Sequence, residues 1–157
     1  MPRKPAQQQS LVLHRAGAAD SRLLQQLARA FRRESGNSLS RTESIAIDTL
    51  LQDESAGAAF LIGVDGQVAG YIVLCFGFSL EYGGRDAFID EFYLLPQARG
   101  AGVGASVMEL VEIEAAQCGV HALHLEVLGD NQRVVDLYER CGFRDRGSRM
   151  MTKRIGS

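Results

Sequence analysis

The chain has 157 residues, of which 46% are hydrophobic and 23% are charged, and its formal net charge is −2. This length and composition predict a globular domain with a sizeable core. The weak negative charge excludes the broad positive field that nucleic-acid binders use. No apolar run is long enough to span a bilayer, and the N-terminal MPRKPAQQQ lacks the hydrophobic segment of a signal peptide. We therefore expect a cytoplasmic protein with neither a membrane nor a nucleic-acid partner.

The apolar pattern predicts about four helices and six to seven strands in a single α/β domain. Residues 1–9, rich in Pro and Gln, are expected to be a disordered tail, and residues 10–157 are expected to form the domain. Hydrophobic spacing, caps and turns place the elements. In chain order they are a strand from 11, helices at 20–36 and 42–55, strands at 58–64, 68–78 and 88–95, a helix at 103–119, a strand at 121–128, a helix after 131 and a strand from 143.

Two local features support this assignment. Asp65-Gly66 between the second and third strands is a strong hairpin signal. The run at 68–78 is apolar almost throughout, which is typical of a central strand covered on both faces.

Cysteine and histidine residues indicate neither a disulfide framework nor a metal site. Cys75, Cys118 and Cys141 are odd in number and far apart, which favours reduced thiols. His121 and His124 are separated by an odd number of residues, so a strand would point them to opposite faces. No metal ligand set is predicted.

The segment IDEFYLLPQARGAGVG passes from a strand through a glycine-rich turn into a helix. Such a turn binds phosphate because glycine lets the main chain approach an anion and the unpaired N–H groups of the first helical turn donate to it. Arg99 adds a permanent cation. A Walker loop is excluded because no Lys-Ser/Thr follows the last glycine. The dinucleotide fingerprint is excluded because Gly100, Gly102 and Gly104 are spaced by twos.

The pattern that remains, Arg99-x-x-Gly102-x-Gly104, resembles the Arg/Gln-x-x-Gly-x-Gly/Ala signature of the Gcn5-related N-acetyltransferase (GNAT) superfamily. A second stretch, LEV followed by Asn131 and by DLYERCGF at 136–143, is similar to that superfamily's L-E-V…N…LYE…GF segment. The order of predicted elements also matches after residue 10. The resemblance implies a mixed, mostly antiparallel central sheet with splayed central strands, and acetyl-CoA as the cofactor.

The resemblance further implies a cofactor site built mainly from main-chain groups. Phe92, Tyr93 and Leu94 would pair with the pantetheine arm like an added strand, and an N–H there would face the thioester oxygen. Asn131 would contact the cofactor, although helix capping explains it equally well. The turn that would hold the diphosphate comprises Arg99, Gly100, Ala101, Gly102, Val103 and Gly104.

Acetyl transfer to an amine needs a base, because a primary alkyl amine with a pKa near ~10 is protonated at neutral pH, and it benefits from an acid for the departing thiolate. Tyr138 matches the family's general acid; the alternative is a core tyrosine on an amphipathic helix. Asp90 is the first candidate for the base, since it shares side-chain parity with Phe92 and matches the acid of polyamine and aminoglycoside acetyltransferases. Glu126, which matches the acid of ribosomal-protein alanine acetyltransferases, comes second and Glu91 third.

The run GYIVLCFGFSLEYGGRDAFIDEFYLLP is similar to the polyamine and thialysine acetyltransferase subgroup, but Asp90-Glu91 replaces Glu-Asp and Leu94 replaces Val. The stretch from residue 79 to residue 91 contains four acidic residues and one arginine. It is either the solvated end of a hairpin or the source of a negative field that attracts a cationic amine. We therefore expect an N-acetyltransferase for a primary amine of a small cationic acceptor, such as a polyamine, an amino acid or an aminoglycoside-like compound. A protein N-terminal or lysine acetyltransferase and a non-catalytic acyl-CoA sensor are the alternatives. Similar proteins also suggest a homodimer.

Overall fold

The computed structural model describes residues 9–156, so the predicted tail at 1–9 lies outside the described residues except for Gln9. Short 3-10 turns occur at Ala18–Asp20 and Pro96–Ala98. None of the described helices combines the length and the apolar character needed to cross a membrane. The helices and strands are β1 (Leu11–Arg15), α1 (Ser21–Glu34), α2 (Arg41–Gln52), β2 (Gly57–Val64), β3 (Gln67–Ser79), β4 (Gly84–Leu94), α3 (Val103–Gln117), β5 (Leu123–His124) and α4 (Gln132–Arg140).

The strands of the described residues form one mixed sheet in the order β1-β2-β3-β4-β5. The first four are antiparallel neighbours, and β5 runs parallel to β4. Asp65 and Gly66 close the β2–β3 hairpin with positive φ angles of 51° and 78°, as a type I′ turn requires. The predicted hairpin, the four helices and the mostly antiparallel α/β sheet are thus confirmed.

Helix α1 packs on one face of the sheet because its apolar residues recur at helical spacing. It buries Leu24, Leu27 and Ala28 against a cluster from β2, β3 and β4 that comprises Ala59, Leu61, Tyr71, Val73 and Tyr93. Successive strand residues point to opposite faces, so the alternate residues of β2 and β3 cover the other side. These are Phe60, Ile62, Ile72 and Leu74, each at most 1% exposed. The prediction that 68–78 forms a central strand is confirmed over its buried middle.

The sheet has five strands instead of the six to seven that the sequence predicts. The stretch at 121–128 is a strand only at Leu123–His124, and the stretch from Phe143 forms none. Residues 144–156 are exposed, with Met151 at 88% and Ile155 at 87%. A β-rich pattern such as MMTKRI forms a strand only where a neighbouring strand accepts and donates its main-chain hydrogen bonds. No such pairing occurs there among the described residues.

The chain divides into two compact units, one ending at Glu126 and the other beginning at Val127. The first unit contains the sheet, α1, α2, α3 and the glycine-rich turn. The second contains α4, with Asn131 before it and Tyr138 within it. A single domain over 10–157 stays a prediction.

Candidate functional site

The outer edge of β4 loses its neighbouring strand part of the way along. β5 pairs with β4 only as far as Phe88 and His124, whereas β3 stays paired with β4 as far as Leu94. Within residues 9–126, the main chain of β4 from Ile89 to Leu94 therefore has no strand partner on this side. The open edge arises because β5 ends at His124 while β4 continues to Leu94; splayed central strands stay a prediction.

Main-chain groups of β4 alternate between the two edges of the strand. The carbonyl of Tyr93 faces β3 so closely that a Cβ added to Gly70 would overlap it, which explains why glycine occupies that position. Phe92 and Leu94 therefore direct their N–H and C=O groups to the open edge. Of the three residues predicted to pair with a cofactor, Phe92 and Leu94 present main-chain groups there, and Tyr93 presents its own to β3.

A β-bulge interrupts β4 at Asp90. The consecutive residues Val73 and Leu74 of β3 pair with Glu91 and Ile89, so Asp90 is an extra residue between them. Ile89 and Glu91 consequently lie on opposite faces, although they are two residues apart. The parity argument for Asp90 assumed a regular strand, and it does not hold across the bulge.

Asp90 is an exposed residue, but its surroundings disfavour the charged form of its carboxyl. Partial desolvation, followed by the negative charge of Glu91, raises the pKa of Asp90, and the positive charge of Arg32 acts in the opposite direction. Cys75 on β3 lies nearby. Burial first, and then the negative charge of Asp90, raise the pKa of the Cys75 thiol to about 11. The bulge thus offers an accessible carboxylate with an increased affinity for protons.

Glu91 instead belongs to a hydrogen-bond network between β4 and α1. It accepts hydrogen bonds from the Tyr71 hydroxyl and from Nη2 of Arg32, and its side chain is 17% exposed. Nε of Arg32 donates to Glu43 at 2.8 Å. Glu43 also forms a capping box with Ser40 at the start of α2. The Ser40 cap, and then Arg32, lower the pKa of Glu43 to about 2.

We expect Arg32→Met to lower the free energy of unfolding by about 2 kcal/mol, because it leaves the half-buried Glu91 without its cationic partner. Urea unfolding followed by circular dichroism measures this change. Arg33→Met is the matched control, since Arg33 is exposed and takes part in none of the ion pairs found within residues 9–156. Equal stability of the two variants would show that the network contributes nothing to folding.

The turn between β4 and α3 holds its backbone in the left-handed region. The φ angles are 89° at Gly100, 51° at Ala101 and 78° at Gly102, which is the N-cap of α3. A Cβ added to Gly102 would meet no atom within 4 Å. Within the described residues, the N–H groups of Gly102, Gly104 and Ala105 donate to no main-chain acceptor. Open space beside unused donors at a helix N-terminus fits an anion.

Val103 contributes to this turn through packing. Its side chain is 6% exposed, and its N–H donates to the Gly100 carbonyl at 3.2 Å. A small cleft beside the turn is lined by Gln9, Leu11, Val64, Ala101, Val103 and Ser106.

Arg99 is paired inside the protein. Its Nη2 donates to the two carboxylate oxygens of Glu34 at 2.7 and 2.8 Å, and its Nε donates to the Leu94 carbonyl at 2.9 Å. The guanidinium carbon lies 5.5 Å from the centre of the Tyr93 ring. The cation predicted at the mouth of the turn therefore connects the turn to the end of α1.

Glu126 and the two histidines considered in the sequence have other surroundings. Glu126 is exposed and follows the short β5, so it does not join the sheet. Nε2 of His124 lies 3.2 Å from an oxygen of Asp86, and Nδ1 of His121 lies 3.1 Å from the Tyr82 carbonyl. Among residues 9–156, no three His, Cys, Asp or Glu side chains come together as a metal site.

In the second unit, Asn131 and Tyr138 belong to α4 and its cap. The Asn131 side chain accepts a hydrogen bond from the Val134 N–H at 3.3 Å, so the capping explanation is confirmed. Tyr138 is partly buried, and its ring stands edge-on to that of Phe143 with the centroids 5.6 Å apart. Burial raises the pKa of Tyr138, which keeps the phenol protonated at neutral pH.

Sequence reasoning missed Arg32 and Glu34. They lie in the last turn of α1, in the run FRRE, which is typical of a solvated helix end. Their partners Glu91 and Arg99 are 59 and 65 residues away. No local pattern signals contacts at that separation.

A sequence model described as the acetyltransferase (GNAT) family matches residues 21–143. Thialysine N-epsilon-acetyltransferase of Bos taurus is 35% identical over 78 residues, which are 50% of this chain and 45% of that protein. An uncharacterised N-acetyltransferase of Mycobacterium tuberculosis is 36% identical over 93 residues, which are 59% of this chain and 55% of that protein. The chain thus spans about half the length of the curated relatives it matches.

Among solved structures, an integron cassette protein from the mobile metagenome of Cole Harbour Salt Marsh is similar over nearly the whole chain. The TM-score is 0.80 at 33% identity, and the match covers 92% of this chain and 91% of that one. The family match includes the open edge of β4, the glycine-rich turn and α4. The chain therefore belongs to the acetyltransferase (GNAT) family.

Proposed function

We propose that this protein is an acetyl-CoA-dependent N-acetyltransferase that transfers the acetyl group directly to a primary amine of a small cationic acceptor. The observation that carries the proposal is the continuity, within one unit, of the open β4 edge with the anion-binding turn after it. An extended arm that ends in a diphosphate matches this arrangement, because the arm pairs like an added strand and the diphosphate meets a helix N-terminus.

The residues that would hold acetyl-CoA act mainly through the main chain. The N–H groups of Gly102, Gly104 and Ala105 would donate to the diphosphate. Phe92 would offer its N–H and C=O to the pantetheine arm, and Leu94 would offer its N–H, because its carbonyl already accepts from Arg99. Bound acetyl-CoA supplies an activated acyl group as a thioester, and a main-chain N–H of this edge would donate to the thioester oxygen.

Two side chains remain as proposals from the second unit. The oxygen of Asn131 caps α4, which leaves its amide NH₂ group as the donor for a cofactor contact. Tyr138 would protonate the departing thiolate, and its raised pKa keeps it in the protonated form that an acid needs.

We propose Asp90 as the base. Its carboxylate is accessible at the bulge, and the raised pKa brings its proton affinity closer to that of a useful base at neutral pH. Glu91 is committed to Tyr71 and Arg32, and Glu126 lies outside the sheet. The Asp90 carboxylate at the bulge would also attract a cationic amine, whereas Arg32 balances the charge of Glu91. Polyamines, amino acids and aminoglycoside-like compounds carry such amines. The cytoplasmic location and the homodimer stay predictions.

Free-thiol release from acetyl-CoA, measured across an amine panel, tests this function. The panel contains spermidine, thialysine, an aminoglycoside and short peptides with free N-termini or lysines. We expect saturable release with a small cationic amine and about a tenfold lower kcat for Asp90→Asn. That loss is smaller than the roughly 100- to 10,000-fold effect typical of a general base, because solvent at an exposed residue would accept part of the protons in its place. The matched control Glu126→Gln should retain wild-type turnover.

The panel separates the competing functions. Release with peptides alone would identify a protein acetyltransferase and overturn the small-amine proposal. Binding of acetyl-CoA without release for any amine would identify an acyl-CoA sensor. Equal losses for Asp90→Asn and Glu126→Gln would remove the assignment of Asp90 as the base.

A further inference from the structure

We propose that Glu34 is a positioning residue for the glycine-rich turn. Glu34 binds Arg99 and thereby fixes the conformation of the turn. The main-chain N–H groups of the turn, and not the Arg99 guanidinium, then bind the diphosphate. The identity of the ligand rests on the proposed function, whereas the positioning role concerns the turn itself.

The Arg99 side chain is bound within the protein. Its Nη2 donates to both oxygens of Glu34, and its Nε donates to the Leu94 carbonyl at the end of β4. The side chain thus points back to the strand and to α1, away from the helix N-terminus that begins at Gly102. Because the pair with Glu34 is neutral overall, it adds little net positive field to the turn.

Glu34 itself is fixed by the core. Its carboxylate accepts a hydrogen bond from the Tyr93 hydroxyl at 2.8 Å. Tyr93 is 4% exposed, and its ring stacks on that of Phe31 with the centroids 5.2 Å apart. The hydrogen bonds from Arg99, and then from Tyr93, lower the pKa of Glu34, so it is an anion at neutral pH. A fixed anion at the end of α1 can therefore hold the first residue of the turn.

The Glu34–Arg99 ion pair is too exposed to contribute much to global stability. The side chains are 39% exposed for Glu34 and 45% for Arg99, and ion pairs this accessible add little to global stability. The pair instead restrains a turn that has left-handed φ angles at three consecutive residues and few main-chain hydrogen bonds, from the Val103 N–H to the Gly100 carbonyl and from the Ser106 N–H to the Gly102 carbonyl. Loss of the pair should therefore loosen the turn without unfolding the protein.

The two possible roles of Arg99 predict opposite signs for Glu34→Gln. If Arg99 binds the diphosphate directly, Glu34 competes with the ligand, and its neutralisation tightens binding. If Glu34 positions the turn through Arg99, the same change weakens binding, because a looser turn must be ordered by the ligand.

The experiment compares Glu34→Gln, Arg99→Gln and the double variant by calorimetry with coenzyme A and by amide hydrogen exchange of peptides that cover 95–105. We expect each single variant to raise the Kd of coenzyme A about fivefold, the ratio that corresponds to about 1 kcal/mol. The double variant should bind coenzyme A no more weakly than either single variant, because both substitutions remove the same contact. In 99–105 the amides that donate hydrogen bonds, those of Arg99 and Val103, should exchange faster without ligand.

Glu109→Gln on α3 is the control for the change in net charge, since its side chain is exposed and it has no part in the turn. Tighter coenzyme A binding by Glu34→Gln, or unchanged exchange in 99–105, would overturn the positioning role. If the wild-type protein bound no coenzyme A, the proposed function would fail, while the exchange measurement, which needs no ligand, would still decide the role of Glu34.

Discussion

The Gly102→Val variant is expected to lose coenzyme A binding, with a Kd raised by at least about 100-fold, or about 3 kcal/mol. Two effects add. Gly102 has a φ of 78°, where a β-branched residue is strained, and its missing Cβ faces open space with no atom within 4 Å. A valine there would fill the space that an anion needs to reach the N–H groups of the turn. Isothermal titration calorimetry with coenzyme A measures the loss.

Gly119→Val is the matched control for strain. Gly119 follows the other end of α3 with a φ of 75°, and a Cβ added there also meets nothing within 4 Å. This control should lose a similar amount of stability, because a valine is strained at both positions, and yet keep its affinity for coenzyme A. Normal binding by folded Gly102→Val would show that the turn does not hold the diphosphate.

Tyr138→Phe is expected to lower kcat about 100-fold, with the Kd of acetyl-CoA close to that of the wild type. Phenylalanine keeps the ring that packs against Phe143, and only the hydroxyl is lost. A departing thiolate that receives no proton is a poorer leaving group, and positioned acids contribute effects of this size. Steady-state thiol release, with the amine that emerges from the panel, measures kcat, and calorimetry measures the Kd.

Tyr82→Phe is the control, because Tyr82 lies at the end of the β3–β4 hairpin and outside the proposed machinery. It should retain wild-type kcat. Unchanged turnover by Tyr138→Phe would remove Tyr138 from the acid role and leave it as a packing residue of α4. A parallel rise in the Kd of acetyl-CoA would assign it to binding instead of proton transfer.

The features predicted correctly are those that depend on neighbouring residues. The Asp65-Gly66 hairpin and the cap at Asn131 each follow from turn or cap chemistry within a few residues. The glycine-rich turn was located by spacing alone, and its left-handed φ angles agree with that reading. The family model confirms the resemblance that the two signatures carry.

The features that were missed or wrong depend on partners distant in sequence. The strand predicted from Phe143 is absent because MMTKRI has the composition of a strand but no pairing neighbour among the described residues. The bulge at Asp90 is a property of the β3–β4 register, and it reverses the side-chain parity that a regular strand would have. An alternating pattern contains no sign of an inserted residue.

By itself, the sequence indicated the family through its resemblance to two signatures. It also determined the order of helices and strands as far as α4 and the turn before α3, because short-range propensity and spacing encode them. Only the tertiary structure decided the roles of the charged residues. It shows that Glu91 is bound to Arg32, that Arg99 is held by Glu34, and that Asp90 lies at a β-bulge. The physical reason is that side-chain ion pairs form wherever folding brings opposite charges together, and the packing of α1 against β4 is a property of the whole core.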